Sequence, residues 1–432
     1  MNTYFLIACL LFLNIPKSFA NIAEHFGASS ESIALAGQAT FDSSDPANNF
    51  YAAALLADDE RTTYSYSEIA MQTDFKEIDN IVTTSPINSA ETSDIFGDIN
   101  TSEPAKFFRS FHGSFKLFKA LQAKFNISFI LPSESFIEIQ TGDPYRPEYV
   151  MYSRFNRTVG YLTYAQKLKY FNFSVGIMTG IQSNGETFII AQQTGSTTTP
   201  PSSGKMQFNA KPITAVNFSF SKTWKNSISY FSFQDEMKSK LENEATGITP
   251  IGAGALPYAW DLSSMLFYDP KIFRFGHKYK NLITTLEYQD WSGYETPVLK
   301  LKASNSSALS SSRLVENFDT RSIFIPKIAY IHNAFSFGAS YRPSPLKLKS
   351  GASGNSVDTD SFIATVGYKK IFNFLAQDFT FKSGFSYHQL KTQTVKKDPN
   401  RENGTIGNKI GYPEYDIGGN VYALSIGLSW VI

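Results

Sequence analysis

Tyr422-Ala423-Leu424-Ser425-Ile426-Gly427-Leu428-Ser429-Trp430-Val431-Ile432 closes the chain, and its reading decides the fold. Large apolar side chains occupy every even position. Small or polar ones occupy the odd positions, with Val431 the exception. Successive side chains of a β-strand point to opposite faces, so this segment has one broad greasy face and one narrow face.

The same alternation recurs upstream. Phe125, Ile127, Phe129 and Leu131 alternate with Asn126, Ser128 and Ile130. Phe335, Phe337, Ala339 and Tyr341 alternate with Ser336, Gly338 and Ser340. Phe379, Phe381, Phe385 and Tyr387 alternate with Thr380, Lys382, Gly384 and Ser386. Fourteen such segments are predicted, at 62–75, 106–118, 121–131, 149–167, 170–181, 207–222, 226–236, 262–276, 281–291, 320–331, 334–342, 360–371, 377–391 and 420–432. From the second onward they pair across short connections such as Lys119-Ala120, Thr223-Trp224-Lys225 and His332-Asn333. Between the pairs lie long stretches rich in Ser, Thr, Gly and Asn, at 76–105, 132–148, 182–206, 237–261, 292–319, 343–359 and 392–419.

Short turns alternating with long loops are the plan of an outer-membrane barrel, with periplasmic turns and extracellular loops. An even strand number leaves both ends of the barrel in the periplasm. In lipid every backbone polar group needs an internal partner, and a closed barrel has no unpaired edge. Beyond residue 20 no apolar run approaches the roughly 20 residues that a spanning helix needs. A soluble β-sandwich also alternates, but its loops are short at both ends. The expected fold is therefore all-β: a transmembrane antiparallel β-barrel of about 14 strands, formed by residues 61–432.

Composition agrees. The 432 residues carry a formal net charge of +1, which speaks against a nucleic-acid binder working through a broad basic surface. Aromatic residues make up 15%, enough to furnish the two interfacial girdles of a membrane barrel. The only cysteine is Cys9. It lies in a short apolar run, Tyr4 to Leu13, followed by Ser18-Phe19-Ala20. That run has the length of a secretory signal and a small-x-small cleavage site, so residues 1–20 are expected to be a signal peptide. The remainder then has no cysteine, and its stability in an oxidising compartment rests on something other than disulfides.

Residues 21–60 lack alternation and precede the first strand. A compact segment there is expected to enter the lumen as a hatch or plug. For chemistry, His112-Gly113-Ser114 places a His and a Ser on one strand face, as a lipid hydrolase would. Phe111, Gly113, Phe115 and Leu117 form the greasy face, so His112 and Ser114 face the lumen, away from lipid. The five histidines show no metal-ligand spacing. No catalytic residue, metal or cofactor is assigned.

Several separated segments resemble the FadL-type outer-membrane transporters of long-chain fatty acids and other hydrophobic compounds. Ser32-Ile33-Ala34-Leu35-Ala36-Gly37-Gln38-Ala39 with Asp45-Pro46-Ala47-Asn48-Asn49-Phe50-Tyr51 resembles that family's hatch. Leu286-Glu287-Tyr288-Gln289-Asp290-Trp291-Ser292 is similar to a mid-barrel strand. Gly338-Ala339-Ser340-Tyr341-Arg342-Pro343 is similar to a strand exit, and Asp416-Ile417-Gly418-Gly419-Asn420 to the approach to the last strand. Where the family pattern carries Asn-Pro-Ala after the aromatic pair, this chain has Ala52-Ala53-Ala54, without the polar anchor and the fixed φ of proline.

The resemblance implies a fourteen-stranded barrel with a hatch. It also implies passive uptake of a long-chain fatty acid or similar hydrophobic small molecule across the outer membrane of a Gram-negative bacterium. Substrate would pass an apolar groove on the extracellular loops, a pocket above the hatch and a lateral gap in the wall. A site for such a molecule needs apolar lining and a few polar groups. Phe26, Phe41, Phe50 and Tyr51 are the apolar candidates. Lys116, Lys124 and Lys327, with Lys369 and Lys382, are the cationic candidates for a carboxylate. Ile248, Ile251 and Leu256 lie in an unusually apolar loop stretch and are the candidates for the groove. The expected partners are the hydrophobic cargo and outer-membrane lipid, with no nucleic acid, and the expected state is a monomer. The alternative is a general porin or structural barrel with a vestigial hatch.

Overall fold

A computed structural model of the chain describes residues 22–76, 78–83, 95–99, 102–116, 122–132, 158–181, 185–191, 202–208, 213–251, 254–294, 300–303, 318–348, 358–374, 377–396 and 414–432. Residues 1–21, with the expected signal peptide, lie outside them.

Fourteen antiparallel strands close into a barrel. They are β1 Thr63–Phe75, β2 Ser102–Lys116, β3 Ala123–Pro132, β4 Thr158–Lys167, β5 Asn172–Ile181, β6 Ile213–Thr223 and β7 Ser227–Gln234. The circuit continues with β8 Lys271–Tyr279, β9 Leu282–Asp290, β10 Ile323–His332, β11 Phe335–Arg342, β12 Ser361–Phe374, β13 Gln377–Lys396 and β14 Glu414–Val431. Each strand pairs with its sequence neighbour. Closure is made by β1 on β14, in register from Thr63 opposite Val431 to Phe75 opposite Gly419. No backbone edge is left to face lipid.

The alternation is real in three dimensions. Leu424 and Ile426 are 58% and 55% exposed, whereas Ser425 between them is 1% exposed. Phe275, Leu286, Phe324, Phe337, Phe362 and Val366 likewise face outward. On the outer wall Phe218, Phe233, Phe273, Tyr288 and Phe324 are cross-strand neighbours from β6 to β10. Their successive ring centroids lie 5.0, 5.0, 6.1 and 4.7 Å apart. This is an aromatic ladder at the extracellular side. Tyr64 stacks on Trp430 at 5.4 Å near the periplasmic side, so both interfaces carry rings.

Several strand boundaries and loop assignments need correction. Segment 262–276 is divided: Gly254–Asp269 pairs with Met237–Ile251 in a hairpin outside the barrel sheet, and only β8 belongs to the wall. The described residues of stretch 237–261 are therefore strand, not loop, and Lys300–Ala303 adds a third strand to the pair. Segment 207–222 likewise begins too early, because Ser202–Phe208 pairs with Gly185–Ala191 in a separate hairpin and β6 starts at Ile213. Alternation continues beyond the wall into these hairpins, so periodicity alone does not mark where the barrel ends.

The hatch is short helical turns inside the lumen: a 3-10 turn Ile22–Glu24, helix α1 Ser30–Ala34, helix α2 Asn48–Tyr51 and a 3-10 helix Ala53–Asp58. Ser29 caps α1 in a reciprocal capping box with Ser32. Phe26, Phe50, Tyr51, Leu55 and Ile33 join one buried cluster with Ile69, Met71, Phe108, Ile130, Val159, Tyr161, Met178, Tyr230 and Val421 of the wall.

Candidate functional site

The candidate site is the lumen where hatch meets wall. The lumen face of the wall changes character along its height. On the periplasmic half of β14 and β1–β6 it presents Ser425, Ser65, Ser67, Ser114, Asn126, Ser128, Thr163, Ser174, Ser219 and Ser221, all buried. On the extracellular half of the same strands it presents Val421, Ile69, Met71, Phe108, Ile130, Val159, Tyr161 and Met178, also buried. A second apolar group, Trp291, Ile323, Ile325, Tyr268 and Leu346, sits at the extracellular side of β9 and β10. Trp291, Tyr268 and Tyr294 bring their rings within 5.9 to 6.1 Å of one another.

The hatch is tied to the polar half by hydrogen bonds. Asn49 donates to Ser128 Oγ at 2.9 Å and accepts from Thr163 Oγ1 at 2.6 Å. Ala54 N donates to Ser219 Oγ at 3.0 Å, and Ser30 N to Ser67 Oγ at 3.1 Å. Ala52-Ala53-Ala54 thus holds its place through a backbone N–H, without an asparagine or proline there. Thr365 Oγ1 donates to Ala34 O at 2.8 Å. His112 lies between the Ala28 carbonyl and Ser128 Oγ, each 2.8 Å from a ring nitrogen. Ser114 Oγ donates to Asn126 Oδ1 at 2.6 Å. His112 and Ser114 therefore face the lumen as expected, and each serves hatch or wall packing.

Two ion clusters add charge. Glu287 pairs with Arg274 at 2.9 Å and Lys327 at 3.1 Å, and Lys327 Nζ also donates to the Gly37 carbonyl at 2.7 Å. Lys382 pairs with Glu31 at 2.7 Å and Asp45 at 3.3 Å. Lys369 pairs with Glu31 at 3.1 Å and Asp42 at 3.0 Å. Burial alone would raise the Glu31 carboxyl, but Lys369 and Lys382 outweigh it and hold the group below its ordinary range. Burial pushes the Tyr51 phenol up, so it stays neutral, with its oxygen accepting from Ala28 N at 3.0 Å. The Arg274 guanidinium lies 5.5 Å from the Phe50 ring and 5.8 Å from the Tyr51 ring.

The apolar candidates are thus gathered in the lumen. Phe50 meets Tyr161 at 5.1 Å, Phe41 meets Tyr230 at 5.2 Å and Phe26 meets His388 at 4.8 Å. Phe41 holds φ 57, a left-handed conformation that costs on the order of 1–3 kcal/mol for a bulky residue and persists where packing enforces it. The cations separate. Lys327 is engaged as above. Lys116 sits at the periplasmic rim against Glu60 at 3.1 Å. Lys124 is 2% exposed at the periplasmic end of β3, opposite Lys116. Ile248, Ile251 and Leu256 lie in the hairpin strands, and their side chains are outside the described residues. Asn49, Glu287 and Arg274 were not singled out in the sequence, because nothing local marks an asparagine or an ion pair made across the barrel. Among the described residues no group of three His, Cys, Asp or Glu is placed to hold a metal.

A closed barrel, greasy outside and plugged by its own N-terminal segment, is a membrane barrel of the outer-membrane type. Its fold is that of the FadL-type channels, on the following comparisons. A FadL homologue of Pseudomonas aeruginosa superposes with a TM-score of 0.62 at 11% identity, over 96% of this chain and 99% of that one. The toluene transporter TodX of P. putida gives 0.51 at 12% identity, over 94% and 99%. The monoaromatic hydrocarbon channel CymD gives 0.51 at 10%, over 96% and 99%. No protein-family model and no curated protein sequence matches the chain.

Proposed function

We propose that the protein is a passive channel of a Gram-negative outer membrane that takes up a hydrophobic small molecule, without catalysis or an energy source. The observation that carries this reading is the apolar extracellular half of the lumen wall over β1–β5, with Ile69, Met71, Phe108, Ile130, Val159 and Met178. Burying apolar surface there is favourable by about 25 cal/mol per Å². A general porin needs a wetted polar lumen instead. Monoaromatic hydrocarbons and long-chain fatty acids are the two cargo classes proposed, on the strength of the similar channels and of the sequence resemblance. Cargo meets the extracellular loops, with Ile248, Ile251 and Leu256 at the tip of one hairpin. It then descends to Phe26, Phe41, Phe50 and Tyr51 at the hatch and leaves through the wall.

The test is uptake by whole cells that lack their own channel of this type. Expression should raise uptake of labelled oleate or toluene several-fold and leave uptake of a trisaccharide unchanged. The opposite pattern would make the protein a general porin.

A further inference from the structure

Glu68 and Arg109 face outward from the wall, among apolar side chains. They are direct cross-strand partners on β1 and β2, and Tyr66, Ala70, Phe107 and Phe111 are the outward residues next to them. Interfacial rings give the height of the pair. Tyr64, opposite Trp430, belongs to the periplasmic side. Gln72 lies opposite Tyr422, whose ring meets Tyr387 at 5.5 Å towards the extracellular side. Glu68 stands midway between Tyr64 and Gln72, about 13 Å along the strand from each at roughly 3.3 Å per residue. Tyr and Trp collect at the two membrane interfaces, so the pair stands near mid-bilayer. A charge on the lipid face is costly there, and ionisable residues inside a membrane normally face protein or water. The pair does not satisfy itself. Arg109 Nε donates to Glu68 Oε1 at 3.2 Å, while both Nη groups and Glu68 Oε2 have no hydrogen-bond partner among the described residues. The two side chains are 49% and 34% exposed.

We propose that two copies of this chain meet in the membrane through the outer faces of β1 and β2, about a two-fold axis along the membrane normal that passes between Glu68 and Arg109. Such an interface sets the same patch of both subunits against itself. Facing walls exchange left and right, so Glu68 meets the partner's Arg109, and Arg109 meets the partner's Glu68. The four charges then alternate in sign around the axis. Each guanidinium gains a second carboxylate for its Nη groups, in the forked geometry that such pairs favour, and no charge faces hydrocarbon. Ala70, the next outward residue of β1, is small, and small residues let membrane-embedded backbones approach closely. Lipid headgroups lie at the interfaces, out of reach of the pair, and charge complementarity makes a second copy the occupant. The dimer departs from the monomer expected from the sequence, because Glu68 and Arg109 become neighbours only through the register of β1 on β2.

This inference goes beyond the uptake reading and does not depend on the cargo. Every sample carries Cys9→Ser, which removes the only native thiol. Copies with Lys169→Cys, at an exposed periplasmic turn, are labelled with a donor or an acceptor dye and mixed in phosphatidylcholine vesicles. Energy transfer should exceed that of randomly mixed monomers several-fold. Glu68→Arg in both members, or Arg109→Glu in both, sets like charges across the axis and should abolish the excess. Donor copies with Glu68→Arg mixed with acceptor copies with Arg109→Glu should restore it, which a role confined to one chain does not predict. A second measurement leaves both charges in place and needs no charge variant to assemble. A short bismaleimide should join Ala70→Cys copies into dimers and leave Phe275→Cys copies, on β8 across the barrel, unlinked. Transfer at the random level with both charges in place, an excess that survives both reversals, no recovery in the mixture of folded variants, or equal linking at positions 70 and 275 would each overturn the dimer and leave uptake standing.

Discussion

Gly338, Gly367, Gly384 and Gly427 put no side chain between strands β11–β14 and helix α1. A Cβ at Gly367 would come 2.1 Å from Ala34 Cβ, and one at Gly384 would come 2.5 Å from the Ser30 carbonyl. Real Cβ atoms do not approach so closely, so the hatch sits where it does because these positions are bare. Gly384→Val should therefore unseat α1 while the wall stays closed. Conductance in planar bilayers should rise above that of wild type, with the folded barrel still compact in unheated electrophoresis. Unchanged conductance would place the seal elsewhere. The small partners of the last strands were visible in the sequence as alternation. What they make room for was not, since the contact joins residues more than three hundred positions apart. The partners of Lys369 and Lys382 were hidden for the same reason.

At the scale of elements, each wall strand is a two-faced ribbon, and the faces obey different rules. Ile426 is 55% exposed to lipid, and Ser429 turns inward near the periplasmic end. Ile426→Arg should destabilise the barrel by about 2–4 kcal/mol if near mid-bilayer, and Ser429→Arg should have little effect. Reversible urea unfolding in lipid vesicles measures both, and equal losses would contradict the assignment of faces. The wall strands were legible because a period of two needs only near neighbours to be read. Their ends were not. The hairpin Met237–Ile251 with Gly254–Asp269 keeps a strand pattern past the rim, and β13 and β14 run beyond the predicted 377–391 and 420–432 to Lys396 and back from Glu414. The hatch elements α1 and α2, only 5 and 4 residues long, have too few turns for a helical period to show.

For the whole molecule, the decisive property is the reversal of polarity along the lumen face of β14 and β1–β6. Over β14 and β1–β6 the extracellular half offers hydrocarbon-like wall and the periplasmic half hydroxyls and amides that hold the hatch, while β7–β13 present buried Gln234, Arg274, Glu287, Gln289 and Arg342 towards the extracellular side. A hydrophobic molecule gains by entering and then meets the plug, whereas a sugar finds little to replace its water. The direct measurement is photolabelling of the reconstituted protein with a small, uncharged aryl diazirine, followed by mapping of the adducts by mass spectrometry. Adducts on Met71, Phe108, Tyr161 and Met178, lost on competition with excess toluene, are the predicted result. Adducts confined to outward residues such as Leu424, Ile426 and Phe337 would contradict the account, because the probe would then have dissolved in the bilayer without entering the lumen.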